Sequence, residues 1–230
     1  MTSISVHRLD YGYFLRPGAE TPSGSPRVEP CLGYLVRHPQ GTLLFDTGMG
    51  RHPDVDSHYR PRRTGVAEAL ARAGSGIADI DLLTNCHLHF DHCGGNGLFP
   101  GRPIFTQAVE LATARTVEDY TLAELIDTPG ARYEELSGES EVLPGVLLIP
   151  TPGHTEGHQS LVVRQPDGTV VVAGQSHDTA TDFSSDMLAW RARQDRHAEE
   201  LPHIPGWIER LRQFDPARVV FAHDHSVWQP

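Results

Sequence analysis

Residues 85–96 read N-C-H-L-H-F-D-H-C-G-G-N and put three imidazoles, His87, His89 and His92, and one carboxylate, Asp91, within six residues. His87 and His89 stand two apart directly after an apolar run, so an extended backbone sends both rings to the same side. Asp91 and His92 follow on a turn that Gly94 and Gly95 permit. Such N and O donors suit zinc, with iron or manganese as alternatives. Packing gives no reason to crowd titratable rings at the end of an apolar strand.

A second cluster, T-P-G-H-T-E-G-H-Q-S over residues 151–160, also follows an apolar strand, and its glycines allow a tight loop around His154. Beside the first cluster, His154 becomes a third protein ligand for one metal. His158 reads as a residue that supports the site rather than a ligand. The third cluster, F-A-H-D-H-S over 221–226, offers His223 or His225 but not both if the strand runs on without a kink; His223, nearer the apolar run, is preferred. Asp46 ends the string F-D-T-G. It reads either as a turn residue or as an acceptor that holds a ligand histidine in its tautomer, and the second reading is favoured. His7, His38, His52, His58, His197 and His203 lie outside the clusters and are expected to be solvated.

These motifs sit in a chain of 230 residues, long enough for one large domain or two half-domains sharing a core. The net charge of −11 argues against nucleic acid and anionic membrane as partners, since phosphate binding needs clustered Lys and Arg. Twenty-two Gly and 18 Pro favour a turn-rich β or α/β design over a helical bundle. No signal-peptide pattern or membrane-span window is visible, and three cysteines make no disulfide framework, so a cytoplasmic location is expected. Oligomeric state has no signature.

The elements that must position the motifs follow from pattern. Residues 17–30 and 51–64 read as exposed loops. C-L-G-Y-L-V-R-H-P-Q-G-T-L-L-F-D-T-G is a hairpin turning at 38–41. A helix begins after Thr64, its N-cap, with Val66, Ala69, Leu70 and Ala73 on one face. I-A-D-I-D-L-L-T-N is a buried strand feeding the histidine cluster. I-F-T-Q is a strand, with helices near 107–116 and 119–127. G-V-L-L-I-P, S-L-V-V, T-V-V-V-A-G and A-R-V-V-F-A are further strands, and Leu201, Ile204, Ile208 and Leu211 form a helical stripe. Residues 51–64 and 178–200 flank the motifs with little apolar periodicity and are expected to form mobile walls of a pocket.

H-L-H-F-D-H-C-G-G-N-G, T-P-G-H-T-E-G-H-Q-S-L, the hairpin ending F-D-T-G-M and the terminal histidine resemble the metallo-β-lactamase superfamily, and its N-acyl-homoserine-lactone lactonase branch in particular. The resemblance, over about residues 30–225, implies a single α/β domain, residues 1–230, built as an αββα sandwich with the metal site at the edges of its two sheets. It implies one metal on His87, His89 and His154 and another on Asp91, His92 and His223. A metal-bound hydroxide would then attack the carbonyl of a lactone or similar ester, and Asp91 would handle a proton as the leaving group departs. One or two Zn2+ per chain are expected, with Fe or Mn as alternatives, and a small-molecule ester, lactone or thioester as substrate.

Two positions depart from the pattern, both in V-V-V-A-G-Q-S-H-D. Gln175 stands where most of the superfamily has an aspartate bridging two metals; a neutral amide binds a cation more weakly, which makes Gln175 a weak or substitute ligand. Asp178 stands where the lactonases commonly have a tyrosine touching the substrate carbonyl, and a carboxylate cannot donate as a phenol does. It is expected beside the ligands rather than among them. Alternative readings are a thioesterase or other acyl hydrolase, a mononuclear-iron oxidoreductase of the same fold, and a non-catalytic metal-binding protein.

Overall fold

The computed structural model describes residues 4–21, 23–196 and 200–230, so His197 lies outside the described residues. In chain order the strands are β1 (Ser5–Arg16), β2 (Arg27–His38), β3 (Gly41–Phe45), β4 (Arg62–Arg63), β5 (Leu82–Thr84), β6 (Pro103–Gln107), β7 (Arg132–Leu136), β8 (Ser140–Leu143), β9 (Val146–Pro150), β10 (Gln159–Gln165), β11 (Gly168–Val172) and β12 (Pro216–Val220). The α-helices are α1 (Pro53–Tyr59), α2 (Val66–Arg72), α3 (Phe90–Cys93), α4 (Ala108–Thr116), α5 (Ala123–Ile126), α6 (Ala180–Gln194) and α7 (Trp207–Arg212).

Period-two alternation gives each central strand two apolar faces, so each must be covered twice. In β2, Leu32, Tyr34 and Val36 face a core shared with Leu161 and Val163 of β10 and Val170 and Val172 of β11. Cys31 and Leu35 face the other way, onto Val66, Ala69 and Leu70 of α2. Val162 and Val171 likewise turn outward against Phe183 of α6 and Ile208 and Leu211 of α7. The result is helix, sheet, sheet, helix, the expected αββα order. The first sheet runs β4-β1-β2-β3-β5-β6-β7 and the second β12-β11-β10-β9-β8. The β3, β5 and β6 strands are parallel, as are β11 and β12, so their C-terminal ends gather along one edge of the sandwich.

Several expected boundaries change. Residues 51–64 are not a loop: His52 caps α1 through Nδ1, Pro53 opens it, and Arg62 and Arg63 pair with β1. Residues 178–200 contain the fifteen-residue α6, started by a capping box between Thr179 and Asp182. The stripe from Leu201 to Leu211 buries Ile204, Ile208 and Leu211. It is helical only from Trp207 because Pro202 and Pro205 lack N–H donors and interrupt any earlier turn. α2 is preceded by Gly65, without a side-chain cap, rather than by Thr64. The second of the two expected central helices shortens to α5, and residues 27–30 belong to β2, where Glu29 is buried.

Candidate metal centre

Five strand ends deliver the chemistry. Asp46 follows β3, the cluster 87–92 follows β5, His154 follows β9, Gln175 follows β11 and His223 follows β12. Backbone hydrogen bonds fasten these loops together: Asp46 N–H to Thr84 O at 2.9 Å, Gln159 N–H to Cys86 O at 2.8 Å, and Leu32 N–H to Ala222 O at 2.9 Å. The glycines after the cluster are needed for a close approach, since a Cβ on Gly94 would lie 1.8 Å from Gly50 N. Gly174, at φ +59°, turns the chain into Gln175, and a Cβ there would strike the Cβ of Cys86 at 2.4 Å.

Among the described residues, three groups of donors have their atoms within 4.8 Å of one another: Cys86, His87 and His92 lie behind the other two, which are His87, His89 and His154, the first group, and Asp91, His92 and His223, the second. In the first, His87 Nε2 lies 2.9 Å and His154 Nε2 3.3 Å from His89 Nδ1. In the second, Asp91 Oδ2 lies 3.4 Å from His92 Nε2 and 3.3 Å from His223 Nε2, and the two Nε2 atoms are 3.3 Å apart. Donors about 2.0–2.1 Å from a tetrahedral cation stand about 3.3–3.4 Å from each other, so the second group has the edge lengths of a zinc polyhedron. The groups abut, with the His87 and His92 rings 4.1 Å apart.

The partners behind the rings decide which nitrogens face inward. His92 Nδ1 donates to Asp46 Oδ2 at 3.0 Å and His223 Nδ1 to Pro30 O at 2.8 Å, which leaves both Nε2 lone pairs aimed at Asp91. Three acceptors converge there with no donor between them, and that arrangement calls for a cation or a shared proton. Without a metal the proton goes to His92. Burial opposes its charge, but Asp91, Cys86 and Asp46 hold it well above the ordinary histidine range. His92, with His223 and His89, holds the Asp91 carboxyl far below its usual range against the same burial. In the first group burial dominates, pushing His89 down to about 4 and His154 to about 3.

Asp46 has φ 61°, a left-handed conformation costing an L-residue about 1–2 kcal/mol. It is rewarded locally, since Oδ1 accepts Cys86 N–H at 2.8 Å while Oδ2 takes His92. His158 is fully buried and uses both ring nitrogens: Nδ1 donates to Thr151 O at 3.1 Å and Nε2 accepts Gln175 N–H at 3.1 Å. Gln175 Oε1 lies 3.2 Å from His92 Nε2, at the second group. Asp178 is tied to Arg27 at 2.7 Å and Arg16 at 3.2 Å. Those bonds, with a contribution from the Gln175 amide, keep its carboxyl low although burial pushes the other way. His225 is exposed and lines a separate recess with Asp10 and Arg62, and only His223 joins the second group. His58 is exposed, as expected, and also pairs with Glu20 at 2.6 Å.

Sequence reasoning missed three contributors. Glu110 of α4, buried, accepts Leu88 N–H at 2.7 Å and the Thr155 hydroxyl at 2.8 Å, clamping the first motif loop to the second; Tyr120 donates to it too. The Cys86 thiol lies 3.2 Å from His87 Nδ1 and 3.2 Å from His92 Nδ1, behind both groups. Arg16 reaches the site from the far end of β1. None belongs to a local motif; only the polarity of Glu110 inside an otherwise apolar helix face (Leu111, Ala114) marks it in the sequence.

Over the donors lies a cleft of ≈ 470 Å³, with Phe14, Val55, Tyr59, Phe90 and Leu122 along one wall and Tyr59 stacked on Phe90 at 4.7 Å. A second, polar recess of ≈ 660 Å³ opens beside it, lined by Arg27, Ser176, His177, Asp178 and Asp182. Arg16, Glu20, His154 and Gln175 line both.

The sequence model of the Metallo-beta-lactamase superfamily matches residues 26–223. An N-acyl homoserine lactonase from a Bacillus species is 35% identical over 172 residues, 69% of this chain and 68% of its own length. Another, from Rhizobium radiobacter, is 29% identical over 231 residues, 90% of this chain and 86% of its own. A solved N-acyl homoserine lactone hydrolase with the product N-hexanoyl-L-homoserine at its catalytic metal centre superposes with a TM-score of 0.76 at 26% identity, covering 98% of this chain and 95% of that one. The chain belongs to the metallo-β-lactamase superfamily, as a hydrolase related to its N-acyl homoserine lactonases.

Proposed function

We propose that the chain opens a lactone or cleaves a similar carboxylic ester, with N-acyl homoserine lactones the first substrates to test, and that each donor group holds one metal ion. The observation that carries this is the adjacency of two three-donor groups on the floor of a cleft with one apolar wall. The donor chemistry fits zinc, iron or manganese: three imidazoles in one group, two imidazoles and a carboxylate in the other.

A metal bound there supplies a Lewis acid that polarises a carbonyl oxygen and makes water acidic enough to lose a proton near neutral pH. The rest is the work of side chains. Asp46 and Pro30 O hold His92 and His223 with lone pairs inward, so no ring must rotate or change tautomer when a cation enters. Asp91 lines the cleft as a carboxylate and is the acidic side chain of the donor groups placed to pass a proton between water and the leaving oxygen. As water adds to the carbonyl carbon and the ring C–O bond breaks, Asp91 takes the proton and returns it to the departing alkoxide, leaving a hydroxy acid. Phe14, Val55, Tyr59 and Phe90 cover an acyl chain, worth about 25 cal/mol per Å² of apolar surface removed from water.

The test is acid release from N-hexanoyl-L-homoserine lactone by protein loaded with zinc, manganese or iron. Acyl thioesters and oxygen uptake serve as comparison assays. Ring opening that chelation abolishes and metal restores is expected. Thioester cleavage or oxygen consumption without lactone turnover would replace this reading with one of the alternatives.

A further inference from the structure

Arg16 ends β1 and is the only Lys or Arg among the described residues lining the cleft above the donor groups. It also lines the polar recess, so its guanidinium stands where the two meet, together with Gln175 and His154. One edge is anchored. Nη1 donates to Asp178 at 3.2 and 3.3 Å and faces Glu29 at 3.4 Å. Arg27, opposite Arg16 in the β1–β2 register, braces the same two carboxylates, at 2.7 Å from Asp178 and 2.5 Å from Glu29. The other edge is open: Nε and Nη2 of Arg16 donate to nothing among the described residues, and neither is among the buried atoms without a partner.

Stability is a poor reason for this arrangement, because Arg16, Glu29 and Asp178 are largely buried and the cost of desolvating such ion pairs offsets much of their attraction. A guanidinium held along one edge by two anions is instead a preorganised donor, its free edge fixed in direction before a ligand arrives. Charge narrows the ligand. Arg16 and Arg27 are matched by Glu29 and Asp178, so the cluster is neutral overall and does not require a full anion. A carbonyl oxygen, with two lone pairs for a forked pair of N–H groups, fits that edge.

We infer that Arg16 is a specificity-determining residue whose free guanidinium edge binds a second carbonyl oxygen of the substrate, one that does not react, and so selects acylamino lactones over plain alkyl lactones. Asp178, Glu29 and Arg27 are its positioning residues. The inference rests on the lactone reading above. It also gives Asp178 a place: it aims a donor from β1 instead of donating itself.

The experiment compares wild type, Arg16→Met, Arg16→Lys and Asp178→Asn, each metal-loaded, on N-hexanoyl-L-homoserine lactone and on γ-decalactone, which has no amide carbonyl. Metal content and calorimetric binding of N-hexanoyl-L-homoserine are measured in parallel. Arg16→Met is expected to lower kcat/KM for the acylamino lactone about 10–100-fold, mainly through KM, with γ-decalactone changed less than about threefold. Product binding should weaken by a similar factor at unchanged metal content, with Arg16→Lys and Asp178→Asn intermediate. Equal loss on both lactones, or no loss on either, overturns the inference and leaves the lactone reading standing. A wild type that opens neither lactone overturns the lactone reading, and binding of N-hexanoyl-L-homoserine then decides the role of Arg16: equal affinity in wild type and Arg16→Met overturns it too.

Discussion

The two donor groups are neighbours made in opposite ways. His87, His89 and His154 are three neutral rings, the last at the exposed rim, and burial keeps His89 and His154 unprotonated down to about pH 4 and 3. Asp91, His92 and His223 are all buried, His92 and His223 braced from behind by Asp46 and Pro30 O, and the neighbouring carboxylates bias His92 toward its protonated form. The first group is three uncharged imidazoles with His87 Nε2 and His154 Nε2 both close to His89 Nδ1. In the second, Asp91, Cys86 and Asp46 raise His92 above the ordinary histidine range against the effect of burial, and the neutral amide oxygen of Gln175 lies 3.2 Å from its Nε2. Metal affinity, metal preference and pH response should therefore differ between two sites that touch.

The largest effects come from removing a donor on either side. His87→Ala should empty the first group and His223→Ala the second, each lowering affinity at its own site by more than the roughly 10–100-fold typical of losing a partner behind a ligand. Metal content by mass spectrometry on each variant checks this. Full occupancy in either would remove that residue from the donor set. Asp46→Asn comes next, at about 10–100-fold and confined to the second group, because its carboxylate meets His92 and no ring of the first. Loss of the first-group metal instead would erase the distinction between the sites.

Protons sharpen the comparison. The first group has no proton to lose near neutrality, so its affinity should be flat between about pH 5 and 8, whereas the second should gain affinity with rising pH as metal displaces the proton that His92 is biased to hold. The metal-free fold carries the same signs. His92, raised in the folded state, contributes stability below its unfolded value near 6.5 that is lost as pH rises through the folded one. His89 and His154, depressed, cost stability as pH falls below about 6.5, where only the unfolded chain takes up their protons. Competition titrations with a chromophoric chelator across pH separate the two slopes, and equal slopes would contradict the assignment.

The smallest effect concerns Gln175. An aspartate there would strengthen the second site but would face Asp178, which Arg27 and Arg16 keep ionised. Gln175→Asp alone should therefore gain about tenfold or less, and Gln175→Asp with Asp178→Asn more than the sum of the two single changes. Strict additivity in a double-mutant cycle of second-site metal affinities would mean that the two positions do not interact.

The six candidate donors were legible because each lies in a short segment just after a strand, and these strand ends meet at one edge of the sandwich. The β2–β3 hairpin and strands β10 and β11 were legible for a related reason: buried largely on both faces, they read as apolar runs. What escaped notice depends on distant partners. β1 alternates weakly, with a register shift near Gly12, and α1 has only Val55 buried, so neither carries a strong period. Arg16 and Glu29 matter because β1 and β2 bring them beside Asp178, 162 and 149 residues away by subtraction of their numbers. No local pattern announces such a pair. Helix α6 has one fully buried apolar side chain, Phe183, and its capping box is a better marker than its periodicity.

The central claim is that two chemically different metal sites act together on a lactone. Stepwise addition of zinc to the metal-free chain at pH 7.5, with bound metal counted by native mass spectrometry and ring opening of N-hexanoyl-L-homoserine lactone followed in the same samples, tests it directly. The account predicts two ions per chain bound in two resolved steps, the second lost first on acidification, with full turnover appearing only as the second ion binds. Saturation at a single ion, or full turnover by the metal-free chain, would contradict it.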